Sequence, residues 1–263
     1  MKNKILVIDF NNMVHRARSG FNRGEHYITY TFLLMIRKTV EKFSPSSIYI
    51  VKEGHPRSRH EAFGDYKSGR SSAGDDFWRQ HSDIIHILQT MPVNIVRHPD
   101  HECDDMIAHI VNDLHKNDEC VIVSTDTDFI QLLSESDRVK LWNPIKDSFV
   151  ENFDCDYVQW KSLVGDGSDN IPGFKGVGAK TAKKLLSDPE RLKEFLNQPD
   201  NREKWERNLF LISFHKIEEG LEWTPVEQNW DNTYKILVER GFTSIVNDKS
   251  WKKYINTFSC IEN

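Results

Sequence analysis

Carboxylates are the residues of this chain whose spacing could do chemistry. Glu102, Asp104 and Asp105 fall within ECDDMIA, Asp126 and Asp128 within STDTDFIQLL, Asp166 and Asp169 within GDGSDNIPG, and Asp9 closes the apolar run ILVID. Each group has an ordinary structural use, because acids favour the first turn of a helix and Asp suits strand-end turns. Eight carboxylates in four places exceed what caps and turns require. Brought together they would repel one another unless a cation screened them, and an all-oxygen donor set suits Mg²⁺ or Mn²⁺ rather than zinc. A divalent ion lowers the pKa of bound water so that hydroxide is available near neutral pH. Two ions ~3.5–4 Å apart stabilise both the attacking and the leaving oxygen of a phosphodiester. Metal-assisted hydrolysis is the chemistry this pattern favours.

The elements that must carry these acids follow from hydrophobic periodicity. ILVID (5–9), IYIV (48–51), NIV (94–96) and CVIVS (120–124) read as buried strands, and 27–43 and 106–114 read as helices. The alternation predicts an α/β fold with a mostly parallel sheet wrapped by helices, in which ligands gather outside the carboxyl ends of the strands. Asp9 ends one strand, Asp126 and Asp128 follow another, and 102–105 opens the helix after NIV, so separated stretches deliver acids to one edge. Between 57 and 80 the periodicity lapses into RSRHEAFGDYKSGRSSAGDDFWRQ. Basic residues alternate with aromatics there, a pattern suited to gripping phosphates and bases of a strand. In GFKGVGAKTAKKLL (173–186) a Gly-x-Gly turn opens a helix, where backbone N–H groups with Lys180, Lys183 and Lys184 can take a phosphate. The order of residues is not that of a nucleotide-binding P-loop, and a helix-hairpin-helix gripping a duplex backbone fits better.

Bulk properties bound the remaining choices. A chain of 263 residues can be one body or a main domain with an appendage. Its net charge of −5 argues against nucleic acid only superficially, since two bound divalent ions would bring it near neutrality. Cys103, Cys120, Cys155 and Cys260 show no CxxC spacing and read as reduced thiols. No apolar run approaches the ~20 residues of a membrane span. The N-terminal MKNKILVIDF reads as a first strand rather than a signal peptide, which places the protein in the cytoplasm. Trp223, Trp230 and Trp251, in a C-terminal stretch without an interpretable motif, read as core.

In this order, IDFNNMVHRA (8–17), RHEAFGDYKSGR (59–70), ECDDMIA (102–108), STDTDFIQLL (124–133) and VGDGSDNIPGFKGVGAKTAKKLL (164–186) resemble the 5′-nucleases. That family includes flap endonucleases, phage 5′-exonucleases and the N-terminal domain of bacterial DNA polymerase I. The resemblance covers roughly the first 215 residues. It implies a PIN-like (Rossmann-like) catalytic domain over 1–165, with a helical arch at about 56–80, and a helix-hairpin-helix with a C-terminal helical region over 166–263. A small PIN-type ribonuclease would share the acids but lack 164–186.

The resemblance also implies roles. Asp9, Glu102 and Asp104, with Asp105 close by, would hold a first Mg²⁺ or Mn²⁺, and Asp126, Asp128, Asp166 and Asp169 a second. Lys67 and Arg70 would stabilise the scissile phosphate as catalytic residues. Arg59, Tyr66, Gly176, Gly178, Lys180 and Thr181 would bind DNA, with K⁺ held at the helix-hairpin-helix. The implied activity is 5′-3′ exonuclease and flap endonuclease on 5′ flaps, nicks and RNA or DNA primers in replication or repair, by a monomer. One position departs from the pattern. Seven residues before Arg59 the family usually places Asp, and this chain has Lys52. Because neighbouring strand residues point to opposite faces, Glu53 is expected to take over only if the chain bulges, and Lys52 is expected beside the first metal site. That arrangement opens an alternative, a catalytically impaired DNA-structure-binding protein of the same fold.

Overall fold

The computed structural model describes residues 3–20, 24–133 and 137–261. Its centre is β1 (Lys4–Asp9), whose five residues from Ile5 to Asp9 are buried. Parallel neighbours flank it: β2 (Ser47–Val51) and β3 (Asn94–Arg97) on one side, β4 (Glu119–Val123) and β5 (Val139–Asn143) on the other. The short antiparallel strands β6 (Ser148–Phe149) and β9 (Glu222–Thr224) close the two edges, giving the order β6-β5-β4-β1-β2-β3-β9. Runs of β-branched residues suit such a sheet because both faces are covered.

Alternation splits the strand residues between two cores. Leu6, Ile8, Ile48 and Ile50 face α1 (Phe10–Arg18), α2 (Tyr27–Phe43) and α4 (Asp75–Leu88). Ile5, Val7, Val51 and Ile122 face α5 (Cys103–His109), which continues in a wide turn over Ile110–Leu114. The short helix α3 (Arg57–Ala62) precedes α4, and between them the expected excursion runs through a compact turn.

Downstream, α6 (Tyr157–Val164) and α7 (Ala179–Leu186) are joined by a small hairpin of β7 (Gly165–Asp166) and β8 (Ile171–Pro172). With α8 (Pro189–Leu196) and α9 (Asn201–Ile212) they enclose a separate small core around Leu163, Phe174 and Ala182. The chain then returns to the sheet through β9. Helices α10 (Trp230–Glu239), α11 (Thr243–Val246) and α12 (Asp248–Thr257) add to the α2–α4 core, with Trp230 and Trp251 packed against it. Trp223 departs from the expectation of burial: it is 49% exposed on β9. All four cysteines are free, and among the described residues no helix is long and apolar enough to cross a membrane.

Candidate active site

The carboxyl edge of the sheet gathers the acids, beginning with Asp9. Its side chain caps α1 by accepting from the Asn12 backbone N–H at 3.1 Å, and it accepts from Ser124 Oγ at 2.8 Å. Asn12 Oδ1 in turn accepts from the Thr125 N–H and Oγ1, each at 3.0 Å, so the ends of β1 and β4 are tied together. At the N-terminus of α5 the Glu102 side chain and Asp105 form a reciprocal capping box. Asp9, Glu53, Glu102, Asp104 and Asp126 line one cavity of about 370 Å³, with Lys67, Arg70, His15 and Arg16 also in its wall.

Burial dominates the electrostatics here. It raises Asp9 to about 6, with Asp126 adding repulsion, and lifts Asp104 well above the carboxylate range. It raises Glu53 to about 7, against the pull of the Lys67 ammonium and helped by Glu102 and Asp9. Such crowding of carboxylates is costly without a cation, and the all-oxygen set fits a hard divalent ion.

Glu53 corrects the expectation for Lys52. Val51 is in register with Asp9 and belongs to the α5-side core, so Glu53, two residues on, falls on Asp9's face without a bulge. Lys52 follows the other face and does not line the cavity; the charged and titratable groups it acts with are Arg97, Glu222 and His81. Gly54 holds this loop in place, since a Cβ there would lie 1.8 Å from His98 O and 2.3 Å from His101 O.

A second group forms where the β7–β8 hairpin meets α6 and the turn after β4. Lys161 Nζ pairs with Asp128 and lies 2.6 Å from Asp166 Oδ2. Burial lifts Asp128 to about 6 despite Lys161, whereas for Asp166 burial, the largest single influence, is outweighed by the hydrogen bond and charge of Lys161 together with the hydrogen bonds from Ser168, which hold the carboxyl down. The sequence reading missed Lys161; its position five residues before Asp166 was the available signal. Asp126, expected in the second group, lines the first cavity instead.

The arch foot bridges the two groups. Lys67 Nζ pairs with Glu102 and lies 3.7 Å from Asp169 Oδ2, and Arg70 Nη2 is 2.5 Å from Asp169 Oδ1. Lys67 has φ 56°, an unusual backbone for a lysine, and its N–H donates to Asp169 O at 3.0 Å. Asn170 Nδ2 donates to Asp65 O and Ser68 Oγ, which pins the same turn.

Three further expectations are corrected. Arg59, expected on DNA, is 2% exposed and spends its guanidinium on Asp105 (2.6 and 2.8 Å) and on the carbonyls of Leu211 and Ser213. Tyr66 is also buried at 2%, donating its hydroxyl to Glu102 Oε2 at 2.9 Å, so it orients an acid rather than facing solvent. Asp105 lies outside the cavity, both oxygens engaged by Arg59 and one also by the His215 N–H at 2.8 Å. Although His101, Asp105 and His215 cluster closely, Arg59 already supplies the charge and His215's ring nitrogens meet Ser58 and the Phe210 carbonyl. That trio is an internal clamp.

Comparison with known proteins identifies the family. Residues 4–162 match the family described as 5′-3′ exonuclease, N-terminal resolvase-like domain, and residues 154–222 match 5′-3′ exonuclease, C-terminal SAM fold. The chain belongs to the 5′-3′ exonuclease family. It is therefore a nuclease. The 5′-3′ exonuclease of Mycoplasmopsis pulmonis is 31% identical over 206 residues, which cover 74% of this chain and 69% of that one. The thermostable DNA polymerase I of Thermus aquaticus is 32% identical over 214 residues, 76% of this chain but 26% of the polymerase. The exonuclease thus spans about a quarter of that relative. In fold it is similar to flap endonuclease-1 from Methanococcus jannaschii (TM-score 0.67, 15% identity, 99% of this chain and 93% of that one). It is also similar to T5 D15 protein co-crystallised with metal ions (TM-score 0.66, 18% identity, 97% and 99%). In this exonuclease Gly176, Gly178 and Lys180 are exposed and Thr181 half-buried where the β8–α7 turn opens α7, with Gly176, Gly178 and Lys180 outside the acid cavity.

Proposed function

We propose that the protein is a divalent-metal-dependent 5′-nuclease, hydrolysing phosphodiesters in flapped, nicked or primer-bearing DNA as a 5′-3′ exonuclease and flap endonuclease. The observation that carries this is the convergence of Asp9, Glu53, Glu102, Asp104 and Asp126 on one cavity whose wall also holds Lys67 and Arg70. Those carboxylates would hold Mg²⁺ or Mn²⁺, with Asp128, Asp166 and Asp169 serving a second ion. When bound, the metal supplies hydroxide and screens the acids. Lys67 and Arg70, now paired with Glu102 and Asp169, have the charge to turn to a scissile phosphate. Tyr66 keeps Glu102 aimed at the cavity. The exposed turn at Gly176–Gly178 with Lys180 offers backbone N–H groups and charge to a duplex, and its carbonyls suit K⁺. We place the activity in the cytoplasm, in a monomer working at replication or repair intermediates.

The reading of an impaired DNA-structure-binding protein rests on Lys52 beside the acids, and the cavity lining, which includes Glu53 but not Lys52, favours the active enzyme. Labelled 5′-flap and nicked duplexes, assayed with Mg²⁺ and Mn²⁺, test the proposal. Cleavage should need the metal, Glu53→Gln should weaken Mn²⁺ binding in calorimetry and slow cleavage at least tenfold, and Lys52→Ala should leave both near wild type. No cleavage by the wild type at any metal concentration would sink it.

A further inference from the structure

The first turn of α4 carries an aromatic that folding leaves uncovered. Trp78 is 46% exposed, while its neighbour Phe77, at 2%, does the packing of that turn. The indole is nevertheless held, edge-on to Phe77 at 5.1 Å and against His81 at 5.2 Å. His81 is fixed by Asn11 Oδ1 at 3.0 Å, and Asn11 lines the acid cavity. His15 stacks on Phe77 at 4.5 Å and also lines that cavity. A strip of rings therefore runs outward from the cavity rim to Trp78. Positive charge lies at its inner end, where Arg16 and Arg70 line the cavity and Arg18 lies 5.8 Å over the Phe77 ring, while Asp75 and Asp76 share the turn of Trp78 and Asp76 is paired with Arg79. Among the described residues no carboxylate pairs with Arg16 or Arg18, both exposed.

Unpaired cations beside an anchored, exposed ring are the parts of a single-strand grip, phosphates on the guanidiniums and a base on the π-face. Bases within a duplex are already stacked on each other, so only an unpaired nucleotide has a face to offer. We propose that Trp78 is a stacking platform for the first unpaired base of the 5′ strand and thereby sets the preference for flapped over nicked DNA. This rests on the nuclease reading above and adds a residue that chooses between its substrates.

The test compares wild type, Trp78→Ala and Trp78→Phe on a 5′-flapped duplex and on the same duplex nicked without a flap. Trp78→Ala should lower kcat/KM on the flap by about tenfold, mainly through KM, the order expected for losing one base stack. Its cleavage of the nick should be unchanged, which also shows that the variant folds, and Trp78→Phe should recover most of the loss. An abasic first flap nucleotide should reproduce the defect in wild type and add nothing to Trp78→Ala. Equal losses on both substrates, no loss on the flap, or an abasic effect that persists in Trp78→Ala would overturn the platform. Wild type that cuts neither duplex would defeat the nuclease reading instead. The platform then stands or falls on anisotropy of a labelled single-stranded oligonucleotide, which should bind about tenfold more weakly to Trp78→Ala.

Discussion

At the scale of residues, most of the acids were legible, but Glu53 and the partners of the acids were not. Holding a hard cation demands carboxylates, so Asp9, Glu102, Asp104 and Asp128 announce themselves by type and spacing. Arg59 looked like a DNA contact because it sits in a basic stretch, but its partner Asp105 is 46 residues away and the Leu211 carbonyl 152. Only tertiary structure reveals such a pair. Removing one member leaves a buried charge uncompensated, so Arg59→Ala should destabilise the fold by about 3–5 kcal/mol in chemical denaturation. A variant as stable as wild type, but with weaker DNA binding, would restore the contact reading. Lys161 invites a different measurement. Its ammonium competes with any cation for Asp128 and Asp166. Lys161→Ala should therefore strengthen the weaker Mn²⁺ site severalfold in calorimetric or EPR titration, and unchanged affinity would mean the lysine does not face the ion.

At the scale of elements, strands buried on both faces were readable, and α2 spans the 27–43 stretch that periodicity marked. β5, β6 and β9 were missed. β6 and β9 have two and three residues, too few to show a period, and they exist because an edge neighbour pairs with them. The β7–β8 hairpin is likewise a product of close approach, since a Cβ on Gly173 would sit 1.9 Å from the Val164 carbonyl oxygen and Gly165 has φ 87°. That hairpin presents Asp166 and Asp169 and, through Asp169 and Asn170, pins the Lys67 turn. Gly173→Ala should lower stability by roughly 2 kcal/mol or more and depress cleavage further than the lost stability explains. Equal activity per folded molecule, from cleavage rates measured well below the melting temperature, would show the hairpin to be a spacer.

At the scale of the whole molecule, charge and stability are linked. Asp9 and Asp128 are raised to about 6 and Glu53 to about 7, above the ordinary carboxyl value near ~4. Between about pH 4 and 7 the folded chain thus holds protons at these groups that the unfolded chain has released. Their contribution to stability consequently falls as pH rises through that window. Metal-free protein should lose melting temperature from pH 5 to 8, Mn²⁺ should restore several degrees at pH 8 and little at pH 5, and chelation should reverse the gain. A metal effect of equal size at both pH values would contradict the linkage. The Arg59–Asp105 pair bears on time as well as on stability. Its guanidinium is completed by carbonyls of residues 211 and 213, and its carboxylate by the amide of residue 215. During synthesis the α5 end of the acid cavity lacks this one anchor until that stretch leaves the ribosome. A nascent chain halted at residue 200 would carry every one of the eight expected carboxylates and still lack the residues that complete the Arg59–Asp105 lock beside the α5 acids.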